Sequence, residues 1–431
     1  MVREAIQKTL DYVDNNVKED ITSEDLAEIA GYSVFHFYRL FQSAVGIPVM
    51  QYVLRRKLLY VIYEIGLGRK KNDVVYDYGF ATYSGFYRAF IREIGYTPEQ
   101  YLREYKAKRP YKINIFQEEH IMVSNKLISE VLVNWGLQDE KVSDIVFPET
   151  GEISDSAKYV GSNMVIKYTA NLGSVKKAIE IPRALNNVGL TAPEVIPTTD
   201  GKEYATVGEL YFTLTQKVEG ERVMAIGLYL DDYKEKARFI GEIVGQLDLA
   251  LAKIDTIADE ADLGKNVREW AVPALKGKID MNPEAMEKYA AQFCDLYRAL
   301  PHQVIHRDPN PSNIILAKDK WGFIDFELSE ENARIFDPCY AATAILSETF
   351  EEENEDKLLT WVEVMKEIMY GYDSVGKLTD AEKKAVPYMI LANQFVSTAF
   401  FVGKDKYKEL NRTNKAMTEW IGTNMEKLSI S

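Results

Sequence analysis

Apolar residues recur at helical spacing through the first hundred or so positions. Phe37, Leu40 and Phe41 fall at i, i+3 and i+4, so they predict the buried face of a helix. Before them, Thr22 to Asp25 has the polar pattern of a capping box, and Gly31 supplies a tight turn. The pattern therefore predicts a helix, a glycine-containing turn and a second helix.

The same pattern occurs twice. The run Phe37-Tyr38-Arg39-Leu40-Phe41 recurs as Phe86-Tyr87-Arg88-Ala89-Phe90, an offset of 49 residues (86 − 37). Gly46 and Gly95 are separated by the same 49 residues (95 − 46). One offset shared by separate motifs indicates two copies of a supersecondary unit. A long helix from Val49 to Ile65 is predicted to join them.

A helix, a tight glycine turn and a second helix form the helix-turn-helix pattern, in which the second helix enters the major groove of DNA. The outward face of the second helix in each copy therefore carries the candidates for contact with DNA. These candidates are Ser33, His36, Arg39, Tyr83, Ser84, Tyr87 and Arg88. The sequence does not separate contacts to base edges from contacts to phosphates. Arg55 to Lys57 and Arg69 to Lys71 also suit phosphate contacts. A helical bundle with a solvated charged face is the alternative interpretation.

The doubled helix-turn-helix pattern over roughly residues 1 to 107 resembles the AraC/XylS-type DNA-binding domain. The resemblance implies two recognition helices that enter successive major-groove segments of double-stranded DNA about one helical turn, ~34 Å, apart. One chain could then read a bipartite site. A homodimer stays open, because the sequence does not reveal the oligomeric state.

A second informative pattern lies later in the chain, where two short apolar runs flank a polar turn. Ile314 to Leu316 and Phe323 to Phe326 have the length and composition of strands, and residues 318–320 are polar. We predict a hairpin that holds Asn313 and Asp325 side by side.

The residues around this hairpin match the needs of phosphoryl transfer. That reaction uses a carboxylate to orient the attacking hydroxyl, a carboxamide on the metal, and a second carboxylate that bridges Mg²⁺ to the phosphates. Asp308, Asn313 and Asp325 supply these groups in order, and His306 completes the pattern His-x-Asp-x-x-x-x-Asn. A surface loop before an ordinary hairpin is the alternative, since Asp and Asn are common in turns.

This segment resembles the aminoglycoside phosphotransferase and choline kinase superfamily, which has the protein-kinase-like fold. The resemblance implies a bilobal α+β domain, ATP or GTP, Mg²⁺ bound by Asn313 and Asp325, and a small-molecule substrate with a hydroxyl group. The family usually has His-Gly-Asp, whereas Arg307 stands at the glycine position here. Downstream, Arg334 to Asp337 resembles the segment whose aspartate braces the catalytic loop.

The resemblance also implies an upstream nucleotide site. Met164 to Tyr168 reads as a strand in which Lys167 is the candidate for contact with the α- and β-phosphates. Its expected partner is Glu180, on a helix from about Val175 to Asn187 that Pro182 should interrupt. Either residue could instead be an ordinary solvated charge.

Two further segments complete the expected nucleotide site. The turn around Glu149 to Ser156 is the candidate to cover the phosphates. Gln216 and Val218 follow an apolar strand from Tyr211 to Thr215, where the family's hinge offers backbone groups to adenine. Side-chain identity does not test that contact.

Charge divides along the chain. Residues 1 to 107 hold 14 of the 52 Lys and Arg and 14 of the 66 Asp and Glu, which leaves 38 basic against 52 acidic residues afterwards. An N-terminal part without net charge, followed by an acidic remainder, suits a DNA-binding module joined to an enzyme, although acidity also aids solubility. With 2 cysteines, 4 histidines and no long apolar run, the sequence predicts neither a disulfide scaffold, a structural zinc site nor a membrane segment. A cytoplasmic protein is expected.

The sequence thus predicts a multidomain protein with an all-α double helix-turn-helix domain and an α+β kinase-like domain. The expected bounds are 1–107 for the DNA-binding domain, 108–124 for a linker with a bridging strand from Ile113 to Val123, 125–218 for the N-lobe and 219–431 for the C-lobe. The favoured function is a transcription regulator fused to a kinase for an antibiotic-like or amino-alcohol substrate. The alternatives are a regulator whose kinase-like domain only senses a ligand, and an enzyme whose N-terminal domain mediates assembly.

Overall fold

The computed structural model describes residues 2–117, 121–147, 150–254, 259–318 and 320–430. The chain divides into two compact units, one formed by residues 1–170 with 195–216 and the other by residues 171–194 with 217–431. In the part of the chain so described, no helix combines the length and apolar character needed to cross a membrane.

The first unit begins with seven helices around two hydrophobic clusters. The helices are α1 (Val2–Asn15), α2 (Ser23–Ala30), α3 (Val34–Val45), α4 (Val49–Gly66), α5 (Lys71–Asp77), α6 (Tyr83–Ile94) and α7 (Pro98–Glu104). The predicted capping box is present, because Thr22 and Asp25 exchange side-chain and backbone hydrogen bonds. Gly31 and Gly46 end α2 and α3 with positive φ, and Gly95 ends α6 in the same way. Both predicted helix-turn-helix units and the joining helix are therefore confirmed.

The segment after α7 differs from the expectation. The predicted strand from Ile113 to Val123 is absent from its described residues, and residues 118–120 lie outside the described part of the chain. Instead, the side-chain amide of Gln7 donates to the carbonyl of Ile113 and accepts from the amide of Ile115, each at 2.9 Å. One glutamine thus satisfies the backbone groups that a neighbouring strand would have bound.

The rest of the first unit is a helix and an antiparallel sheet. The elements are α8 (Asn125–Val131) with a 3₁₀ turn (Leu132–Trp135), β1 (Val142–Val146), β2 (Ile153–Val160), β3 (Met164–Thr169), β4 (Ala205–Val207) and β5 (Leu210–Gln216). The strand order is β1-β2-β3-β5-β4. Ile166, Phe212 and Leu214 are fully buried in the cluster under this sheet. The expected strands around Lys167 and from Tyr211 to Thr215 are confirmed.

The second unit is mainly helical and contains two small sheets. Its elements are α9 (Leu172–Asn187), β6 (Glu221–Arg222), α10 (Tyr233–Leu251), β7 (Asp259–Glu260), α11 (Leu263–Asn266), α12 (Val272–Leu275), α13 (Pro283–Tyr297), β8 (His302–Ile305), β9 (Ile314–Leu316), β10 (Trp321–Phe323), β11 (Glu330–Ala333), α14 (Phe336–Thr349), α15 (Glu355–Gly376), α16 (Asp380–Phe401) and α17 (Lys408–Thr423). The sheets have the orders β10-β9-β6 and β7-β11-β8.

Two expectations in this unit were wrong in detail. Helix α9 continues through Pro182, since a single missing amide does not end a helix whose apolar face is buried around Ile179, Ile181 and Leu185. The strand expected at Phe323 to Phe326 ends at Phe323, because the chain turns into a left-handed conformation at Asp325.

Candidate active site and nucleic-acid interface

His306 anchors the loop that follows β8. Its side chain is fully buried, with ring centroids 4.7 Å from Phe326 and 5.8 Å from Phe323. Its Nδ1 accepts a hydrogen bond from the amide of Asp308 at 3.2 Å, so Nε2 carries the proton donated to the carbonyl of Ile324 at 3.0 Å. One imidazole therefore ties the start of the loop to the segment before Asp325.

Two asparagines hold the carboxylate of Asp308. Asn310 donates to its Oδ1 at 2.8 Å, and the amide group of Asn313 donates to its Oδ2 at 3.1 Å and to its backbone carbonyl at 2.9 Å. Because both donors of Asn313 point to Asp308, its Oδ1 is the atom that can face a cation. Asn310 also caps the 3₁₀ turn Pro311–Asn313 through its own Oδ1. The sequence analysis assigned Asn310 no role, although the Asn310–Asn313 spacing is that of a cap.

The pKa of Asp308 is raised to about 6, chiefly because the side chain is removed from water and also because Asp325 is negatively charged. Hydrogen bonds from Asn310 and from Tyr340, on α14, act in the opposite direction. A carboxylate that ionises near this value can accept a proton at neutral pH. Tyr340 is a second residue that the sequence analysis missed, since nothing local to its segment links it to the loop.

The hairpin of β9 and β10 brings Asn313 and Asp325 together, as predicted. Ile314 pairs with Phe323, and the amide of Ile324 donates to the carbonyl of Asn313 at 3.0 Å. Asp325 follows directly, with a φ of 74°. Carboxylate and carbonyl oxygens are the ligands that Mg²⁺ takes beside phosphate and water oxygens, so this pair fits a magnesium site.

Asp337 braces the catalytic loop, as its motif implied. The carboxylate is fully buried and accepts the backbone amides of His306 at 2.8 Å and Arg307 at 2.9 Å. Arg307 has a φ of 71°, which glycine adopts freely and other residues adopt at a cost. Its Nε lies 2.8 Å from Oε1 of Glu330. The loop thus keeps the conformation suited to glycine although arginine occupies the position.

The candidates for nucleotide contact lie on regular elements. Lys167 is half-buried on β3, where it pairs with Ala157 of β2 and Thr213 of β5. Glu180 is exposed on α9, whereas the buried Lys177 on the same helix donates to the carbonyl of Ser329 at 3.1 Å. The pairing of Lys167 with Glu180 stays a prediction.

The remaining nucleotide candidates also stay predictions. Gln216 ends β5 with an exposed side chain, and Val218 is buried just beyond it. Glu149 lies outside the described residues, while residues 153–156 form the start of β2.

The exposed faces of α3 and α6 carry most of the predicted DNA contacts. Phe37, Phe41, Phe86 and Phe90 are fully buried. Ser33, His36, Arg39, Ser84 and Arg88 are exposed, and Tyr83 and Tyr87 are half-buried. The hydroxyl of Tyr83 donates to Glu99 at 2.7 Å, so this residue is held against α7.

Phe35 stands out on the same face of α3. Its side chain is 76% exposed, an unusual state for an aromatic residue next to a well-formed core. The position one repeat later is Ser84 (84 − 49 = 35), so the two helices differ at this point. The sequence analysis did not single out Phe35, although it named the aromatic residues Tyr83 and Tyr87 in the second copy.

Two arginines of α4 are not available for phosphate contacts, which corrects that expectation for Arg55 and Arg56. Lys57 is half-buried and donates to the carbonyl of Glu19 at 2.8 Å. Arg56 is 3% exposed and pairs with Asp14, with 2.7 Å between Nε and Oδ1. Arg55 pairs with Asp144 of β1 at 2.5 Å and donates to the carbonyl of Glu93 at 3.0 Å. Because α4 packs against helices of both helix-turn-helix units, Arg55 and Arg56 face packed neighbours and not solvent.

Comparison with known proteins finds two family models that match different parts of the chain. A helix-turn-helix domain model matches residues 26–104, and a phosphotransferase enzyme family model matches residues 166–368. The chain joins an AraC-type helix-turn-helix domain to a phosphotransferase-family domain. The predicted combination of domains is therefore confirmed.

Relatives of the helix-turn-helix domain are bacterial regulators. The uncharacterized regulator YbfP of Bacillus subtilis is 31% identical over 104 residues, which are 22% of this chain and 33% of YbfP. The regulatory protein SoxS of Salmonella typhimurium is 25% identical over 100 residues, 23% of this chain and 94% of SoxS. This chain thus spans only about a third of the length of YbfP.

Solved structures resemble the phosphotransferase-family domain. A microcompartment-associated aminopropanol kinase has a TM-score of 0.53 and 14% identity over 70% of this chain and 96% of its own. A spectinomycin phosphotransferase in complex with ADP and spectinomycin has a TM-score of 0.50 and 13% identity over 71% of this chain and 99% of its own. At these identities the likeness shows the fold.

Proposed function

We propose that this protein is a transcription regulator whose phosphotransferase-family domain transfers the γ-phosphate of ATP or GTP to a hydroxyl group of a small molecule. The observation that carries the proposal is the geometry at Asp308. Its carboxylate is oriented by Asn310 and Asn313, lies near Asp325, and has a pKa of about 6.

Each residue has a distinct role in this proposal. Asp308 orients the substrate hydroxyl and accepts its proton as the oxygen attacks the γ-phosphorus, while the nucleoside diphosphate leaves. Asn313 and Asp325 would hold Mg²⁺, which supplies charge neutralisation at the phosphates. Lys167 is the proposed contact for the α- and β-phosphates. Positioning and electrostatics therefore account for most of the rate.

The substrate class is an amino alcohol or an antibiotic with a free hydroxyl. The structural neighbours act on, or bind, aminopropanol and spectinomycin, as their names state. The acidic composition beyond residue 107 also favours a cationic substrate, with 52 acidic against 38 basic residues.

The test is nucleotide consumption against a panel of such compounds, with Mg²⁺ and with ATP or GTP. Asp308→Asn should abolish turnover and retain nucleotide binding. Asp295→Asn is the matched control, because Asp295 is 82% exposed on α13. Nucleotide binding by the wild type without turnover of any compound would favour the alternative of a non-catalytic sensor.

We further propose that α3 and α6 bind double-stranded DNA through their exposed faces. Arg39 and Arg88 suit phosphates or guanine edges, and Phe35 suits the methyl group of thymine. The contact should weaken steeply with added salt, because bound phosphates release counterions. A fluorescence-anisotropy titration with promoter DNA at several salt concentrations measures this.

A sensing role would connect the two activities. The sheet that carries Lys167 packs against the DNA-binding helices inside one compact unit. Gly95, which ends α6, is so close to β1 that an added Cβ would lie 2.4 Å from the Cα of Ser143. The hydroxyl of Tyr96 also donates to the carbonyl of Asp144 at 2.9 Å. A ligand that shifts this sheet would therefore shift α6, so we expect substrate and nucleotide together to change affinity for DNA.

A further inference from the structure

Two carboxyl groups are buried together next to the catalytic loop. Asp248, on α10, is 2% exposed, and Asp337, at the start of α14, is fully buried. Their side chains lie within hydrogen-bonding contact of each other. Two ionised carboxylates have only acceptor atoms, so this contact requires a proton on one of them.

The surrounding donors identify which residue holds that proton. Both oxygens of Asp337 accept backbone amides, from His306 and Arg307, which suits the ionised form. Oδ2 of Asp248 accepts the hydroxyl of Tyr372 at 2.7 Å, whereas its Oδ1 is buried and accepts no hydrogen bond from the residues that the structure describes. The proton therefore belongs on Oδ1 of Asp248, directed at Asp337.

The neighbouring polar and charged groups do not remove the need for a proton between the two carboxyl groups. Arg334 is engaged in two hydrogen bonds to Glu382, at 2.6 and 2.8 Å. Glu330, on β11, faces Arg307 and adds negative charge near Asp337. From α15 and α14, Tyr372 and Tyr340 present neutral hydroxyls, whose pKa values are raised well above the usual one.

Burial is the main cause that raises the pKa of Asp248 well above its ordinary value, and the charge of Asp337 adds to it. Burial likewise raises the pKa of Asp337, to about 7, although both backbone amides act in the opposite direction. The direction agrees with one shared proton at neutral pH.

We propose that Asp248 is a positioning residue of the catalytic loop, which stays protonated at neutral pH and donates its proton to Asp337. Asp337 in turn fixes the amides of His306 and Arg307, and through them the backbone that carries Asp308. The effect on phosphoryl transfer rests on the proposed function, whereas the protonation of Asp248 is independent of it.

The first test is spectroscopic and needs no activity. The infrared difference spectrum between wild type and Asp248→Asn at neutral pH should contain the C=O stretching band of a protonated carboxylic acid in the wild type. The difference spectrum with Asp295→Asn, an exposed carboxylate, should lack it. Absence of the band from the wild type, or its survival in Asp248→Asn, would overturn the proposal.

The second test separates the hydrogen bond from the space that the side chain fills. Asparagine can donate to Asp337 and accept from Tyr372, whereas leucine can do neither. Hydrogen exchange of the peptide over residues 301–313 should be as slow in Asp248→Asn as in the wild type and at least tenfold faster in Asp248→Leu. Equal exchange in all three proteins would contradict the positioning role.

Titration of Asp248 should also appear in stability. The unfolded chain ionises Asp248 near its ordinary pKa, but the folded chain does so only at a higher pH, so the wild type loses stability as pH rises between the two values. Asp248→Asn lacks this loss. Its folding equilibrium constant relative to wild type should therefore rise with pH, by up to about tenfold per unit. A pH-independent ratio would count against the protonated carboxyl even if the kinase proposal held.

Discussion

Arg55 and Asp144 form a buried ion pair, with 2.5 Å between Nη2 and Oδ2, that joins the helix between the two helix-turn-helix units to the first strand of the kinase-like sheet. Lys158, on β2, pairs with the other oxygen of Asp144 and is 3% exposed. Burial alone would raise the pKa of Asp144, but Arg55 and Lys158 together hold it below its usual value. Asp144 is thus shared by two cations where the DNA-binding helices meet the sheet, and the buried Glu93 adds a second negative charge near both.

Because two cations share Asp144, loss of this carboxylate should destabilise the protein more than loss of one of the cations. Asp144→Asn should destabilise the protein by about 3–5 kcal/mol, because it removes the carboxylate that Arg55 and Lys158 both contact. Lys158→Met should cost much less, since Arg55 and Asp144 would remain as a matched pair. Thermal and denaturant unfolding measure both. The contribution of Asp144 is present above its unfolded pKa, about 4, and is lost as pH falls through the lower folded value. A greater loss for Lys158→Met would contradict this account.

The protein is expected to be less stable with arginine at position 307 than with glycine there. A left-handed conformation costs a non-glycine residue roughly 1–2 kcal/mol. Its half-exposed ion pair with Glu330 returns less than about 1 kcal/mol. Arg307→Gly should therefore leave the free energy of unfolding unchanged or raise it by up to about 1 kcal/mol. Arg307→Ala, which keeps the unfavourable conformation and loses the ion pair, should lower it. Equal stabilities of the two variants would show that the backbone conformation carries no cost.

Much of this organisation could be predicted from the sequence because it depends on local patterns. The capping box at Thr22, the positive-φ turns at Gly31 and Gly95, and the Asp308–Asn313 spacing are short-range features with direct structural consequences. The 49-residue repeat also predicted both helix-turn-helix units correctly, because the spacing between motifs is the same even where individual residues differ.

The contacts that could not be predicted are long-range. Asp144 is 89 positions from Arg55, and no periodicity connects them. The basic run in α4 therefore resembled a phosphate-binding surface in the sequence. In the fold, Arg55 and Arg56 pair instead with the buried carboxylates of Asp144 and Asp14. Asp248 lies in an ordinary amphipathic helix, and its importance becomes visible only when α14 brings Asp337 against it.

The pKa of Asp308 predicts the acid side of the pH profile. A base must be ionised to accept the substrate proton, so kcat/KM should fall about tenfold per pH unit below about 6 and level off above it. Nucleotide binding, measured separately by fluorescence, should change less over this range. If kcat/KM were flat down to pH 4 while the protein stayed folded, Asp308 would not be the group that accepts the proton.

The exposed arginines of the two recognition helices and Phe35 of α3 should contribute to DNA binding in different ways. Arg39→Ala and Arg88→Ala should each reduce the salt dependence of DNA binding by about one counterion if these residues bind phosphates. Arg268→Ala is the control, because Arg268 is similarly exposed on the phosphotransferase-family part of the chain. Phe35→Ser, which copies Ser84 of the second unit, should leave the salt dependence unchanged. It should instead weaken discrimination at one base pair by about 1–3 kcal/mol. Binding to a set of single-base operator variants measures that difference, and uniform weakening across the set would show that Phe35 serves the fold of α3 and not base recognition.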